Sequence, residues 1–174
     1  NWKGRKARIE LSHDMYSTEY KLAKKDRERE SLLRTIPGGF VRIDARDCQT
    51  ILWYGAEFLQ VIGYTKEQLE KELHFQCTYI HPEDKSRVTA VMQKIRETGE
   101  SAVIEARVIS HSGELKILTM TLCYISGENS WDGIPSYYRV GIDVTQERKE
   151  QERQRLALED AYRTAQVASS AKTN

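Results

Sequence analysis

Little in this sequence points to covalent or metal staples. Its three cysteines, Cys48, Cys77 and Cys123, are odd in number and widely spaced, with no C-x-x-C among them. That argues against a disulfide framework and a zinc site, and it suits a reducing cytosol. The four histidines, His13, His74, His81 and His111, have no partner at metal-ligand spacing, so no metal is expected. With only three prolines, collagenous or Pro-rich low complexity is excluded. An excess of either charge is missing too. The chain sets 27 basic residues against 26 acidic ones, which gives no electrostatic reason to expect nucleic acid or an anionic membrane as partner. No apolar run approaches the roughly 18 residues of a spanning helix, and no signal-peptide core occurs. A soluble, cytoplasmic segment is expected, compatible with a parent protein anchored elsewhere in a membrane. Nor is there a G-x-S-x-G, a Walker loop, an H-E-x-x-H or a kinase signature, so the chain itself is not expected to be an enzyme.

What is present is unevenly distributed. Tyr20 to Glu30 and Gln146 to Arg155 are nearly solid charged stretches of strong helix formers. Between them lie nearly all the β-branched and aromatic residues. Gly38-Gly39 marks a turn before the strand Phe40 to Ile43, and Thr50 to Tyr54 reads as its hairpin partner. Phe58, Leu59 and Ile62 recur at helical spacing until Gly63 stops the helix. Thr65 caps a second short helix. His81-Pro82-Glu83-Asp84 opens a longer one, with proline at the first position and acids where the helix dipole favours them. Its stripe is Val88, Val91, Met92 and Ile95, ending at Gly99. Alternation then returns. Ala102, Ile104, Ala106 and Val108 share one face of a strand, and Leu118, Met120, Leu122 and Tyr124 share one face of the next. After a polar loop, Tyr138, Val140 and Ile142 read as the inward set of a last strand. The order predicts an α+β domain: a five-stranded antiparallel sheet with short helices and one longer helix on one face, flanked by N- and C-terminal helices.

Four marks in order make the stretch from about Glu30 to Lys149 similar to a PAS sensor domain, the domain itself being expected at residues 34–145. Arg34 to Gly39 resembles the family's opening segment. Glu57 to Leu69 resembles its N-x-x-F-x-x-x-x-G-Y-S/T-x-E-E-L helix. Ile80 to Asp84 resembles its I-H-P-E/D-D, and Gly141 to Lys149 resembles its G-x-x-x-D-I-T-E-R-K exit. Residues 1–15 look like the last strand and exit of an upstream repeat, Asp14 matching Asp143, which implies a tandem array. Residues 16–33 would then be a connector helix and 146–174 a signalling helix. Ala168 to Asn174 resembles the segment just before the phosphoacceptor helix of bacterial sensor histidine kinases. The resemblance implies a two-component signalling module, regulatory rather than catalytic, covalently linked to a kinase. A cofactor-bearing flavin or haem sensor, or a module regulating a cyclic-dinucleotide enzyme, is the alternative.

A curved sheet facing short helices leaves a concave apolar space, the default site for a small ligand. Its candidate lining is Phe40, Phe58, Ile62, Phe75, Tyr79, Val91, Ile95, Ile104, Leu118, Met120, Tyr138 and Val140; a solid core is the other reading. With few polar side chains inward, an apolar or aromatic ligand is expected and no cofactor. A flavin photosensor of this fold needs Asn-Cys-Arg-Phe-Leu-Gln, whereas Lys71 to Cys77 puts Cys77 out of register without the flanking Asn and Arg. Cys77 reads as a small buried hydrophobe. A haem sensor takes its axial histidine from the long helix, and none occurs between Ser86 and Thr98; His81 reads as a cap. Transmission is expected at the D-x-T junction, through Asp143 and Thr145. Beyond it Leu158, Ala161, Ala165 and Ala168 form an alanine-rich a/d-type seam, a marginal coiled coil suited to a switch. A homodimer through this helix and the charged helix before Ser31 is expected.

Overall fold

The computed structural model describes residues 37–173 and a few positions between 24 and 35. The expected upstream remnant (1–15), most of the expected connector helix (16–33) and Asn174 lie outside the described residues. The chain divides into two units, Asn1–Pro37 and Gly38–Asn174. Among the described residues of the first, the Thr35 hydroxyl donates to the Leu32 carbonyl (2.7 Å).

The second unit runs β1 (Gly39–Asp44), β2 (Ile51–Tyr54), α1 (Phe58–Ile62), α2 (Lys66–Lys71), α3 (Pro82–Thr98), β3 (Ala102–Ile109), β4 (Leu115–Ile125), β5 (Ser136–Asp143) and α4 (Thr145–Thr173). The strands form one sheet in the order β2-β1-β5-β4-β3, every neighbouring pair antiparallel. The class is α+β, with the five-stranded antiparallel sheet that the alternation predicts.

Local chemistry sets the element ends. Asp47 closes the β1–β2 connection by accepting the Gln49 and Thr50 amides, each at 2.9 Å. Gly63 ends α1 at φ 76°, and a Cβ there would fall 2.6 Å from the Ser110 Cβ, so only glycine fits. Thr65 and Gln68 form a reciprocal capping box on α2. The His81 Nδ1 accepts the Glu83 amide (3.2 Å) and Pro82 fills the first position of α3, so His81 is a cap. Asp84, in the same first turn, bonds the Arg107 backbone amide (2.7 Å) and pairs with its guanidinium (2.8 Å). That pair ties α3 to β3.

The helices cover one face of the sheet. Val41, Ile43, Leu118, Met120, Leu122, Ala106 and Val108 pack there against Phe58, Ile62, Leu69, Val88, Met92 and Ile95. Full burial of each large apolar side chain contributes about 1.5–3 kcal/mol. Gly39 lets α1 approach closely, since a Cβ on it would lie 3.1 Å from the Val61 Cβ.

The expected phase of β5 is off by one residue. Pairing sets Gly141 opposite Met120, Arg139 opposite both Leu122 and Val41, and Tyr137 opposite Ile43. Tyr137 (1% exposed) and Arg139 (3%) therefore face the helices, while Ile142 is 50% exposed on the other side. Tyr138 and Val140 also lie on that outer face, as does Phe40, which pairs with Val140. Both phases of β5 carry apolar residues, because the outer face holds its own aromatic cluster. Phe40 stands 5.4 Å from the Trp53 ring and 5.7 Å from that of Tyr138. Partner strands with a clean inward set decide the register, since a one-residue slip would reverse every side chain.

Candidate functional site

Two features of β5 stand out, one at its end and one at its middle. At the end, Asp143 Oδ1 accepts the Thr145 amide (3.0 Å) and hydroxyl (2.5 Å). The same hydroxyl oxygen accepts the Ile117 amide of β4 (2.9 Å), and the Val144 amide donates to the Ile117 carbonyl (2.9 Å). Lys116 Nζ lies 3.7 Å from Asp143 Oδ2 and also donates to the Gln60 carbonyl at the end of α1 (3.2 Å). Partial burial pushes the Asp143 carboxyl up, but Thr145 and Lys116 together hold it below its usual value. One turn on, Arg148 makes a two-pronged pair with Glu105 of β3 (2.9 and 2.7 Å). The first turn of α4 is thus wired to β3, β4 and β5. From Lys149 to Lys172 every residue is exposed.

At the middle of β5, Arg139 reaches under the helices. Its Nη2 bonds the Tyr79 hydroxyl and the Cys77 Sγ (3.5 Å), and the guanidinium lies over the Tyr79 ring (5.7 Å). The Tyr79 hydroxyl in turn donates to Cys77 Sγ (3.5 Å). Burial, against the pull of the Arg139 charge, pushes the Tyr79 phenol well above its ordinary value, so it stays neutral. The Cys77 amide donates to the Gln49 carbonyl (3.0 Å), which fixes this segment against the β1–β2 connection. A cavity of about 80 Å³ opens there, lined by Asp47, Cys48, Gln49, Cys77, Ile80, Lys85, Val88, Thr89, Met92 and Arg139. Cys48 takes a left-handed backbone, φ 59°, at its wall.

Of the residues expected to line an apolar space, Phe58, Ile62, Tyr79, Ile95, Leu118 and Met120 are buried among the core, and Val91 and Ile104 pack partly buried against it. None of these borders the cavity. Phe75 lines an open surface groove along Ile51, Leu52, Trp53 and Tyr54. Phe40, Tyr138 and Val140 belong to the opposite face, for the register reason above. Leu158, Ala161, Ala165 and Ala168 are exposed on α4. Arg139 went unread, because an arginine between Tyr138 and Val140 looks like an outward residue. The signal that finds it is the inward set of the strands beside it.

A family model for the PAS fold matches residues 51–132, from β2 to the β4–β5 loop. The chain contains a PAS domain. Solved structures share its architecture at low identity. A sensory box histidine kinase/response regulator from Burkholderia thailandensis is 21% identical at a TM-score of 0.53, covering 72% of this chain and 90% of that one. The PAS domain of an HTR-like protein from Haloarcula marismortui is 16% identical at 0.55, covering 74% and 98%. A LOV protein from Rhodobacter sphaeroides is 14% identical at 0.53, covering 70% and 68%. No curated protein matches.

A PAS domain is a regulatory sensor module, and some PAS domains carry a flavin or haem. In this one the cavity beside Arg139 is small, and the nearby thiol and the His81 imidazole are both engaged. Its inner cavity holds about 80 Å³, against about 300–1,000 Å³ for pockets that take larger ligands. Cys77 gives its sulfur to Tyr79 and Arg139, and His81 is spent on its cap. Among the described residues no group of three or more His, Cys, Asp or Glu side chains is placed to hold a metal ion. Among them, too, no helix is long and apolar enough to cross a membrane.

Proposed function

We propose that residues 34–145 form a non-catalytic sensory module whose state passes through Asp143 and Thr145 into a signalling helix, residues 146–174, and on to a linked histidine kinase. The observation that carries this is the Thr145 hydroxyl, which joins the last strand, the neighbouring strand and the exit helix at one oxygen. A shift of β4 against β5 breaks one of those bonds or tilts the helix. The resemblance of the exit to a kinase linker, and the likeness of the fold to a sensory box histidine kinase, favour a kinase over other outputs.

The helix also supports dimerisation. At 29 residues it spans about 44 Å, and Leu158 (73% exposed) and Tyr162 (66%) stand one turn apart with no core beneath them. Ala161 and Ala165 continue that stripe. A helix without tertiary packing is marginal in water, so a second copy packed along the seam stabilises it. Sedimentation equilibrium tests this: a concentration-dependent dimer is expected, which Leu158→Glu converts to monomer with the sheet's circular dichroism unchanged. A parent protein that stays monomeric at hundreds of micromolar contradicts the dimer.

A further inference from the structure

We infer that Cys48 and Cys77 form an oxidisable dithiol, a site at which hydrogen peroxide closes a disulfide between the β1–β2 connection and the segment leading into α3. This chemistry does not depend on what the exit helix drives. The backbone brings the two cysteines within disulfide range. Thr50 and Gln76 form an antiparallel bridge, flanked by the Ile51 amide on the Phe75 carbonyl (2.7 Å) and the Cys77 amide on the Gln49 carbonyl (3.0 Å). Gln49 and Cys77 are thus directly opposed, as in antiparallel pairs whose Cα atoms stand about 5.5 Å apart. Cys48 is one residue further, which sets its Cα about 6–7 Å from that of Cys77, at the upper end of the roughly 4.4–6.8 Å that disulfides span. In an extended chain neighbouring side chains point to opposite sides. The left-handed backbone at Cys48, φ 59°, breaks that alternation, and both cysteines line the one cavity.

The surroundings divide the labour between the sulfurs. The Arg139 guanidinium and the Tyr79 hydroxyl both donate to Cys77 Sγ, each at 3.5 Å. A guanidinium beside a sulfur stabilises the negative charge that the sulfur carries into attack. The Cys48 thiol donates to the Ala45 carbonyl (3.7 Å), and burial pushes it up, which suits the resolving role. Asp47, Lys85 and Thr89, all exposed, share the cavity's lining, so it reaches solvent. Its 80 Å³ is more than two waters' share of liquid volume, at about 30 Å³ each, which is room for the two oxygens of the peroxide. The Cys77 sulfur attacks one of those oxygens. The O–O bond breaks, and the other oxygen leaves as water with the thiol's proton, giving a sulfenic acid. The Cys48 sulfur then attacks the Cys77 sulfur, the S–O bond breaks, and a second water leaves with the Cys48 proton. The two sulfurs lose two electrons, and one peroxide becomes two waters.

The test is peptide mapping by mass spectrometry under non-reducing conditions, on the whole chain freed of reductant and treated with hydrogen peroxide. An intramolecular disulfide joining Cys48 to Cys77 is expected, reversed by dithiothreitol, with Cys123 on the opposite face of the sheet still a free thiol. Cys48→Ser should stop the reaction at a Cys77 sulfenic acid, captured by dimedone, and Cys77→Ser should leave Cys48 reduced. Arg139→Met should slow the oxidation about ten-fold, which separates a promoted sulfur from two that merely meet. Three thiols left reduced by millimolar peroxide overturn the pair, as does a bridge from either cysteine to Cys123 in its place. Dimedone capture at Cys48 rather than Cys77, or an unchanged rate in Arg139→Met, overturns the assigned order of attack. The map of the parent chain decides the pair by itself, whether or not each variant folds.

Discussion

Arg42 and Arg139 lie on neighbouring strands of one sheet and are both almost sealed from solvent, at 4% and 3% exposure. Arg42, on the outer face, is fully committed. Its fork takes both oxygens of Asp132 at 2.7 Å, with Ser136, Ser130 and the Ile134 carbonyl filling its other donors. Its hydrogen bonds hold the Asp132 carboxyl far below the usual carboxylate range. Arg139, on the inner face, meets a neutral phenol and a sulfur. The difference separates an arginine held by a carboxylate from one held by neutral groups: the first locks the β4–β5 loop, and the second ties β5 to the segment of Cys77 and Tyr79.

The sharpest way to break the comparison is to remove the charges one at a time. Asp132→Ala strands the buried Arg42 without its part-exposed counter-ion and should cost about 2–3 kcal/mol, since it leaves an uncompensated buried charge. For a domain of this size that is a fall in Tm of roughly 10 °C. Arg139→Met should leave stability unchanged or raise it by about 1 kcal/mol, because it removes a buried cation that no carboxylate offsets. Denaturant titrations decide it, and equal losses in both variants would erase the distinction.

The next effect is at the junction. Thr145→Val removes the hydroxyl that bridges Asp143 and the Ile117 amide, and should cost about 1–2 kcal/mol. The Ile117 amide and the first turn of α4 should exchange faster, and Thr145→Ser should restore both readouts.

A smaller effect concerns acid. Asp84, held low by its bonds to Arg107, and Asp132, held low by Arg42, have folded pKa values depressed below the unfolded one. Their stabilisation is therefore complete above an unfolded pKa of about 3.9 and is lost as pH falls through the folded values. Urea titrations between pH 7 and pH 2.5 should show stability falling only at the acid end, with a shallower fall in Asp84→Asn.

Much of this was legible in the residues. Gly63, Thr65, His81-Pro82 and Gly99 punctuate the helices where the structure ends them, because caps act within a few residues. The inward sets of β3 and β4 follow from strict alternation. β5 misled for a physical reason: with aromatic residues on both faces of the sheet, Tyr138, Val140 and Ile142 look more core-like than Tyr137, Arg139 and Gly141. Only pairing with distant strands distinguishes the phases. The cavity was illegible on the same ground, since Arg139 at its wall sat on the side that alternation assigned to solvent.

Asp143 Oδ1 holds both the amide and the hydroxyl of Thr145, so the end of β5 and the start of α4 are coupled through one carboxylate. Amide hydrogen exchange of residues 145–149, in the parent chain and in Asp143→Ala, reads that link directly. The substitution should lower the protection of these amides with the circular dichroism of the sheet unchanged. Identical exchange profiles in the two chains would contradict it.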